Sequence, residues 1–460
     1  MLNQDQAHDI FEKLRRSCTA DELELLVAGG RSALTRFANN TIHQNIEEEN
    51  QHISVRISFG GRTARATTNK YDEESLRRVV QSAEALARVQ QEDSDLLPMP
   101  TPQEVAENAA EAGAVPVRRW FEGTAALTPQ DRAAAVARMV DIAKRHALTS
   151  AGIFASSQIT EGIFNSRGVA DWYEQTSAEV SITMLGDTSS GWQKANSPDI
   201  SRLDPVGMAQ IAAERAMASQ NPRKLAPGKY TVVLEPSAVL DIVGFMFWDF
   251  SGSALLEQRS FLNDRMGTQM FGPNITVWDD VYHPLQAGAP FDGEAMKRHR
   301  VRLIENGVVR AVTYSRSAAQ RVRLAEITAT GHGFPLPNEI GEAPLNIVFA
   351  GPAAGEARSV ERMIASTDRG ILVTRLWYIR EVDPYEKILT GMTRDGTFLI
   401  EDGKVRGGIR NFRFNESLLH MLQNVEAMGE PVRASGEESM DMVVPAMKIR
   451  DFNFTETTKF

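Results

Sequence analysis

Eight histidines and one cysteine are the side chains of this 460-residue protein best able to hold a transition metal, and their spacing assembles no self-contained site. A helix-borne zinc site needs two imidazoles about one turn apart on one face, whereas the nearest pair, His43 and His52, is nine residues apart. These two fall on adjacent strand candidates that could approach across a hairpin, with no carboxylate or cysteine pattern to make them a metal pair. Cys18, standing alone, rules out an internal disulfide framework, and packing is its plainest role. Asp241, Asp249 and Glu257 lie close in sequence; three carboxylates without imidazole or thiolate suit a hard cation better than zinc, or simply cap and solvate a helix. Ser251-Gly252-Ser253 lacks the leading glycine of a serine nucleophile elbow, and no general base is identifiable for it. Gly351 to Gly355 could cradle an anion at the start of a helix over 355–366, or simply turn into it.

The elements that must position these residues follow from periodicity. Residues 5–17 repeat apolar side chains at helical spacing (Ala7, Ile10, Phe11, Leu14). Then LELLVAG, SALTRFANN, TIHQNIEEE, HISVRISFG and RTARATTN read as successive strands, divided by Gly-Gly, Asn-Asn and Glu-Asn turn signals. Asp72, Glu73 and Glu74 open a helix over about 72–92, acidic where the helix dipole is positive. Residues 96–117, rich in Pro, Ala and Glu, read as an extended crossing or a surface loop. A helix over 128–147 begins Thr128-Pro129, strand-like runs at 149–159, 161–166, 168–174, 177–185 and 190–195 follow, and a helix at about 204–219 closes the series. The order of elements repeats, so 1–95 and 125–220 read as a possible internal duplication joined by the 96–117 linker, inside an N-terminal domain of residues 1–225.

Residues 226–460 are strand-rich from YTVVLEP onward, with hairpin turns expected at Glu305-Asn306-Gly307 and Glu401-Asp402-Gly403. Between Gly228 and Met270 one segment, 236–260, breaks that pattern: Val239, Ile242, Val243, Met246, Phe247 and Phe250 recur at helical period, predicting a buried helix from about Ala238 to Phe250. Phe245, Phe247, Trp248 and Phe250 cover too many helix faces to be core alone, so part of this group is expected to line a cavity or meet a partner. The fold class is therefore α+β: an N-terminal α/β region of antiparallel strands and long helices, then a β-rich C-terminal domain holding a buried helix.

A formal net charge of −10 repels phosphate backbones, and no dense run of basic residues interleaves with aromatics, so nucleic-acid binding is disfavoured. The short basic run Lys297, Arg298, His299, Arg300, Arg302 reads as a solvated strand edge, with contact to phosphate or an acidic partner as its alternative. No apolar stretch approaches the roughly 20 residues needed to span a bilayer, and the first residues are too polar for a signal peptide, which points to the cytoplasm.

RFANNTIHQNIEEENQHISVRI, LAPGKYTVVLEP, SFLNDRMGTQ, the Glu-Asn-Gly hairpin and MVVPAMKIRDFNF, in that order, resemble the TldD/PmbA family, once called modulators of DNA gyrase. In that family the TldD paralogue looks like a metallopeptidase whose helix after the PGKYTVVLEP-like strand carries His-Glu-x-x-x-His, with a cysteine supplied near the C terminus. Here the corresponding segment reads GFMFWDFSG, and no histidine occurs from Ala147 to Tyr282. The resemblance is thus to the PmbA branch, also called TldE.

That resemblance implies a non-catalytic subunit with no catalytic or metal residue of its own, zinc being expected in a TldD-like partner and unfolded peptides or peptide precursors as substrates. It also implies that an isolated preparation could form a homodimer through the same surface. Thr328-Ala329-Thr330-Gly331-His332-Gly333 resembles the TGH segment of PmbA-type members, so His332 is a candidate to face a substrate tunnel; a hydrogen-bonded histidine in a glycine-rich loop is the alternative. Phe247, Trp248, Asp249, Phe250 and His332 are accordingly the candidate substrate or interface residues. A divergent homodimeric hydrolase using Asp249, Glu257 or His332 with another metal, or a stand-alone peptide-binding protein, are the alternatives to the partnered subunit.

Overall fold

In the computed structural model, which describes residues 1–458, Gly29 and Gly30 lie inside a single strand. After helix α1 (Gln4–Ser17), strand β1 runs unbroken over Glu22–Ala38 and β2 over Thr41–Phe59, before β3 (Arg62–Thr68). The Gly-Gly signal marks a close approach: a Cβ on Gly29 would lie 2.1 Å from the Asn50 carbonyl oxygen, and one on Gly30 would lie 1.8 Å from that of Gln158. The Glu-Asn signal likewise sits mid-strand in β2. His43 and His52 therefore share one strand and stand about 30 Å apart at 3.3 Å per residue, instead of facing each other across a hairpin.

Helices α2 (Glu73–Val89), α3 (Pro102–Ala112), α4 (Glu122–Ala125) and α5 (Pro129–Arg145) follow, then β4 (Thr149–Asn165), β5 (Ala170–Leu185), β6 (Ser190–Ser197) and α6 (Pro205–Ala218). The α3 helix occupies the segment read as extended. Its start is a capping box, the Thr101 hydroxyl accepting from the Glu104 amide at 3.3 Å and Glu104 Oε2 from the Thr101 amide at 2.6 Å, and Gly113 ends it at φ +59°. Local capping here outweighs a loop-like composition.

The six strands form one antiparallel sheet in the order β3-β2-β1-β4-β5-β6. Leu23, Leu25 and Val27 of β1 pack with α1 and α2, while Phe37 of the same strand packs with α5 and α6. One long strand thus serves two cores.

The C-terminal part begins with β7 (Gly228–Leu234), α7 (Pro236–Val243) and α8 (Gly252–Leu256). Strands β8 (Val277–Asp279), β9 (Val301–Glu305) and β10 (Val308–Val309), helix α9 (Arg316–Val322), β11 (Ile347–Phe349) and α10 (Val360–Ala365) come next. After them run β12 (Arg369–Val373), β13 (Leu376–Asp383), β14 (Ile388–Thr393), β15 (Thr397–Glu401), β16 (Lys404–Gly408) and β17 (Phe412–Ser417). The chain closes with α11 (Leu418–Gln423), β18 (Val425–Met428), β19 (Val432–Ala434), β20 (Met442–Val444) and β21 (Met447–Thr457).

Two sheets result, β10-β9-β8-β11-β20-β19 and β13-β14-β17-β21-β7-β12-β15-β16, with β18 paired to β21. Asn306 and Asp402 take φ of +48° and +50° at the two expected hairpin turns. Helix α10 starts at Val360, capped by Ser359, five residues later than the glycine-rich stretch suggested. From Ala238 to Val243 the α7 helix is buried against both sheets, so the β-rich region does hold a buried helix.

Guanidinium groups join the two halves through main-chain carbonyls. Arg65 Nε donates to the Leu336 oxygen at 2.7 Å, Arg119 to those of Gln286 and His283 at 2.7 and 3.0 Å, and Arg316 to that of Pro98 at 2.8 Å. The basic run at 297–302 divides: Lys297 Nζ meets Asp171 at 2.5 Å and His299 meets Asn108 at 2.7 Å across the two halves, while Arg300, paired with Asp280 at 2.8 Å, and Arg302 stay exposed as the solvated edge expected of them. Among the described residues, no helix is long and apolar enough to cross a membrane.

Candidate functional site

The apolar repeat predicted one helix from 238 to 250, and the structure divides it. Pro236 opens α7 with its preset φ, and Glu235 before it is held by Arg215 at 2.5 Å. At Gly244 the chain presses against Ser439, where a Cβ would lie 1.8 Å from the serine oxygen, and residues Gly244–Asp249 tighten into a 3-10 turn.

That turn sorts the aromatic run. Phe247 and Phe250 enter the core, 5.8 Å apart, with Phe349 edge-on to Phe247 at 6.3 Å and Phe261 edge-on to Phe250 at 6.2 Å. Trp248 turns outward, 49% exposed, its ring stacked on Phe334 at 6.4 Å. Asp249 bonds Lys387 Nζ at 2.5 Å, and Lys387, 2% exposed, also meets Glu381 at 2.7 Å. Burial pushes the Asp249 carboxyl up, and the ammonium pulls it partly back.

The three carboxylates of this stretch do not converge. Asp241 is fully buried; its Oδ1 accepts the amides of Glu437 and Glu438, each at 3.0 Å, while its Oδ2 has no partner among the described residues. Burial raises its pKa to about 7 against the pull of those amides. Glu257 pairs instead with Arg259 at 2.6 Å and Arg321 at 3.9 Å. Ser251 and Ser253 are equally committed, both hydroxyls donating to the buried Glu342 carboxylate at 2.6 and 3.0 Å. Among the described residues, no three His, Cys, Asp or Glu side chains gather as metal ligands. A zinc ion does not fit the α7 segment, whose inward side chains are hydrocarbon and phenyl, apart from one acid already engaged with backbone amides.

His332 lies far in sequence from that segment and is closed from solvent. Its Nε2 is 2.9 Å from Asp279 Oδ1 and its Nδ1 is 3.0 Å from Thr330 Oγ1. Beside it lies a pair of acids that sequence alone did not single out. Asp292 accepts the amides of Glu294, Met296 and Gly333 at 2.9, 2.9 and 2.7 Å, and Glu294 accepts that of Arg316 at 2.9 Å. Burial first, and then the charge of Asp292, lift Glu294 to about 7. Asp-Gly-Glu reads as an ordinary turn in sequence; only its burial distinguishes it.

A groove of about 1050 Å³ opens between the β5–β6 turn and the sheet carrying β13 to β17. Trp377, Tyr378, Arg394, Arg410 and Arg413 form part of its wall. Behind it Arg375 lies between Trp192 and Trp377, at 4.4 and 4.9 Å from their ring centres, and Arg394 covers Trp377 at 4.8 Å. No motif announced this ladder, because its members come from two separate parts of the chain.

Three models of the PmbA/TldA metallopeptidase match in succession: domain 1 over residues 23–87, the central domain over 125–220 and the C-terminal domain over 227–456. The metalloprotease PmbA homolog of Haemophilus influenzae is 21% identical over 95% of this chain and 96% of its own length. A metalloprotease of Methanothermobacter thermautotrophicus is 20% identical over 66% of this chain and 69% of its own. Among solved structures, TldE from Thermococcus kodakarensis superposes with a TM-score of 0.86 at 19% identity, covering 98% of this chain and 99% of that one. A Thermotoga maritima protein proposed as a modulator of a DNA gyrase gives 0.83 at 16%, covering 97% and 100%. The structural likenesses fix the fold, and the family models, the last of which alone spans half of the residues, fix the kinship: the chain belongs to the PmbA/TldD family.

Proposed function

We propose that this chain is the non-catalytic subunit of a two-component cytoplasmic metallopeptidase, pairing with a TldD-type protein that brings the zinc and acting with it on unfolded peptides or peptide precursors. The observation that carries this reading is the α7 segment and the turn after it. A packed phenylalanine plug fills the position where the resemblance expects two imidazoles and a glutamate, inside a chain that three successive family models match over most of its length. Trp248 supplies the partner-facing contact: an exposed indole stacked on the half-buried Phe334, on a rigid buried footing of Phe247 and Phe250, suits a protein-contact anchor. Asp249, tied to Lys387, and His332, tied to Asp279, hold the surroundings of that contact in register. A peptide entering the shared chamber as an added strand would be gripped through its backbone, which accounts for tolerance of sequence.

The test is co-expression with the TldD-type protein of the same organism, followed by affinity capture through one subunit, size exclusion and elemental analysis. A stable complex whose zinc and peptidase activity both follow the partner is the expected result. Failure to capture that partner, together with stoichiometric transition metal and chelator-sensitive hydrolysis in this chain alone, would overturn the proposal.

A further inference from the structure

Strand β13 is the edge of its sheet: β14 pairs with it on one side, and no strand of the described residues pairs on the other. It also carries a bulge. Its register with β14 skips from Trp377 to Arg380, and Tyr378 takes a φ of +54°. That left-handed step brings the amides of Tyr378 and Ile379 onto a single acceptor, the Glu438 carboxylate. Oε1 accepts from Tyr378 at 2.7 Å, Oε2 accepts from Ile379 at 3.3 Å, and Arg380 Nη1 lies 3.6 Å from Oε2. Two successive amides and a guanidinium around one carboxylate form the kind of backbone nest that captures a peptide C terminus.

Glu438 reaches this nest on a loop held from two elements, α7 and β6. The amides of Glu437 and Glu438 bond Asp241, and Lys194 Nζ bonds the Gly436 oxygen at 3.0 Å. The nest also borders the large groove, since Trp377 and Tyr378 belong to its wall. A strand running through the edge would have to continue past a bulge that breaks the pairing register, whereas a chain end stops there. A neutral peptide carbonyl would leave Arg380 without a charge to meet, whereas a terminal carboxylate satisfies it.

We infer that the amides of Tyr378 and Ile379, with Arg380, form a carboxylate-binding site filled in cis by Glu438, and that the C-terminal carboxylate of a peptide lying along the groove displaces it. The inference rests on the proposed role in peptide processing and names the end of the peptide that this subunit holds. A tethered carboxylate competes at an effective concentration in roughly the millimolar range, so the occupied site is selective for peptides that add contacts in the groove.

The test is calorimetric titration of this chain with an N-acetylated, alanine-rich octapeptide bearing either a free or an amidated C terminus. E438A is expected to bind the free-carboxylate peptide at least tenfold more tightly than the parent does and to leave the amidated peptide unchanged. Adding R380A should return most of that gain. Equal affinity of E438A for the two peptides, or binding of neither, overturns the inference. Should thermal melting show E438A to be unfolded, E438Q, which keeps the shape and removes the charge, carries the same comparison. Because the titration uses this chain alone, its failure is distinct from a failure to capture the TldD-type partner.

Discussion

His332 and Asp279 meet across 2.9 Å with both side chains closed to solvent, and the second Asp279 oxygen accepts the Asn346 amide at 2.8 Å. Burial alone would push the Asp279 carboxyl up; the His332 imidazole, Arg298 and that amide outweigh it and hold the group below the usual carboxylate range. A depressed acid contributes stability that is present above its unfolded pKa, about 4, and lost as pH falls through the folded value. Asp279→Asn is therefore expected to cost about 3–5 kcal/mol at neutral pH and to flatten the acid limb of a denaturant-derived stability profile. An unchanged acid limb would show that Asp279 does not carry it.

Asp241 has the opposite sign. Burial lifts it to about 7, so the folded chain keeps a proton that the unfolded chain releases above about 4. Its contribution is full below the unfolded pKa and fades as pH rises through 7. Asp241→Asn cannot ionise, so its stability relative to the parent should rise by about 2–4 kcal/mol between about pH 4, where the parent acid is protonated in the folded state and only begins to ionise in the unfolded one, and about pH 8. Urea titrations at the two pH values read this directly.

Lys387 is enclosed by Asp249, Glu381 and the ring of Phe261, 5.3 Å from its ammonium. Lys387→Met removes the buried ammonium and leaves the partly buried Asp249 without its cation, while the more exposed Glu381 can turn to water, so a cost of about 2–3 kcal/mol is expected. Combining it with Asp249→Asn should recover part of that loss. Strict additivity in the double-mutant cycle would contradict a direct pair.

Trp248 separates stability from association. Half exposed and stacked on a single ring, it should change folding stability by less than about 1 kcal/mol when replaced by alanine, yet cost about 2 kcal/mol or more in binding to the TldD-type partner. Chemical denaturation and a two-subunit titration measure the two quantities separately. A large loss of stability with unchanged association would assign Trp248 to the core instead.

Gly30→Val tests the long-strand topology. The new Cβ would have to displace the Gln158 carbonyl from 1.8 Å, so a loss of about 3 kcal/mol or a failure to fold is expected, whereas a glycine in an open turn would tolerate the change.

The sequence disclosed what depends on near neighbours. Asp72 and Thr128 cap their helices where the helical repeats begin, and Asn306-Gly307 turns where the Asn-Gly pair predicts. Gly29-Gly30 misled because a tight turn and a close strand approach call for the same missing side chain, and only the partners Asn50 and Gln158 distinguish them. The 96–117 segment misled in the other direction, since a Thr-Pro-x-Glu capping box stood inside a composition typical of loops. The site was legible as a deficit, the missing imidazoles of the 240–250 segment, and hardly legible as an arrangement. Ser251 meets Glu342 across 91 positions and Asp241 meets the Glu438 amide across 197, distances over which no local pattern operates.

The bonds from Arg65, Arg119 and Arg316 to main-chain oxygens carry a consequence for how such a protein can drift. A carbonyl oxygen is present whatever side chain its residue bears, so these three arginines measure where the opposite backbone lies and are blind to its spelling. Either half can exchange most of its surface vocabulary while the seam between them keeps its geometry, which is compatible with a superposition of 0.86 surviving at 19% identity.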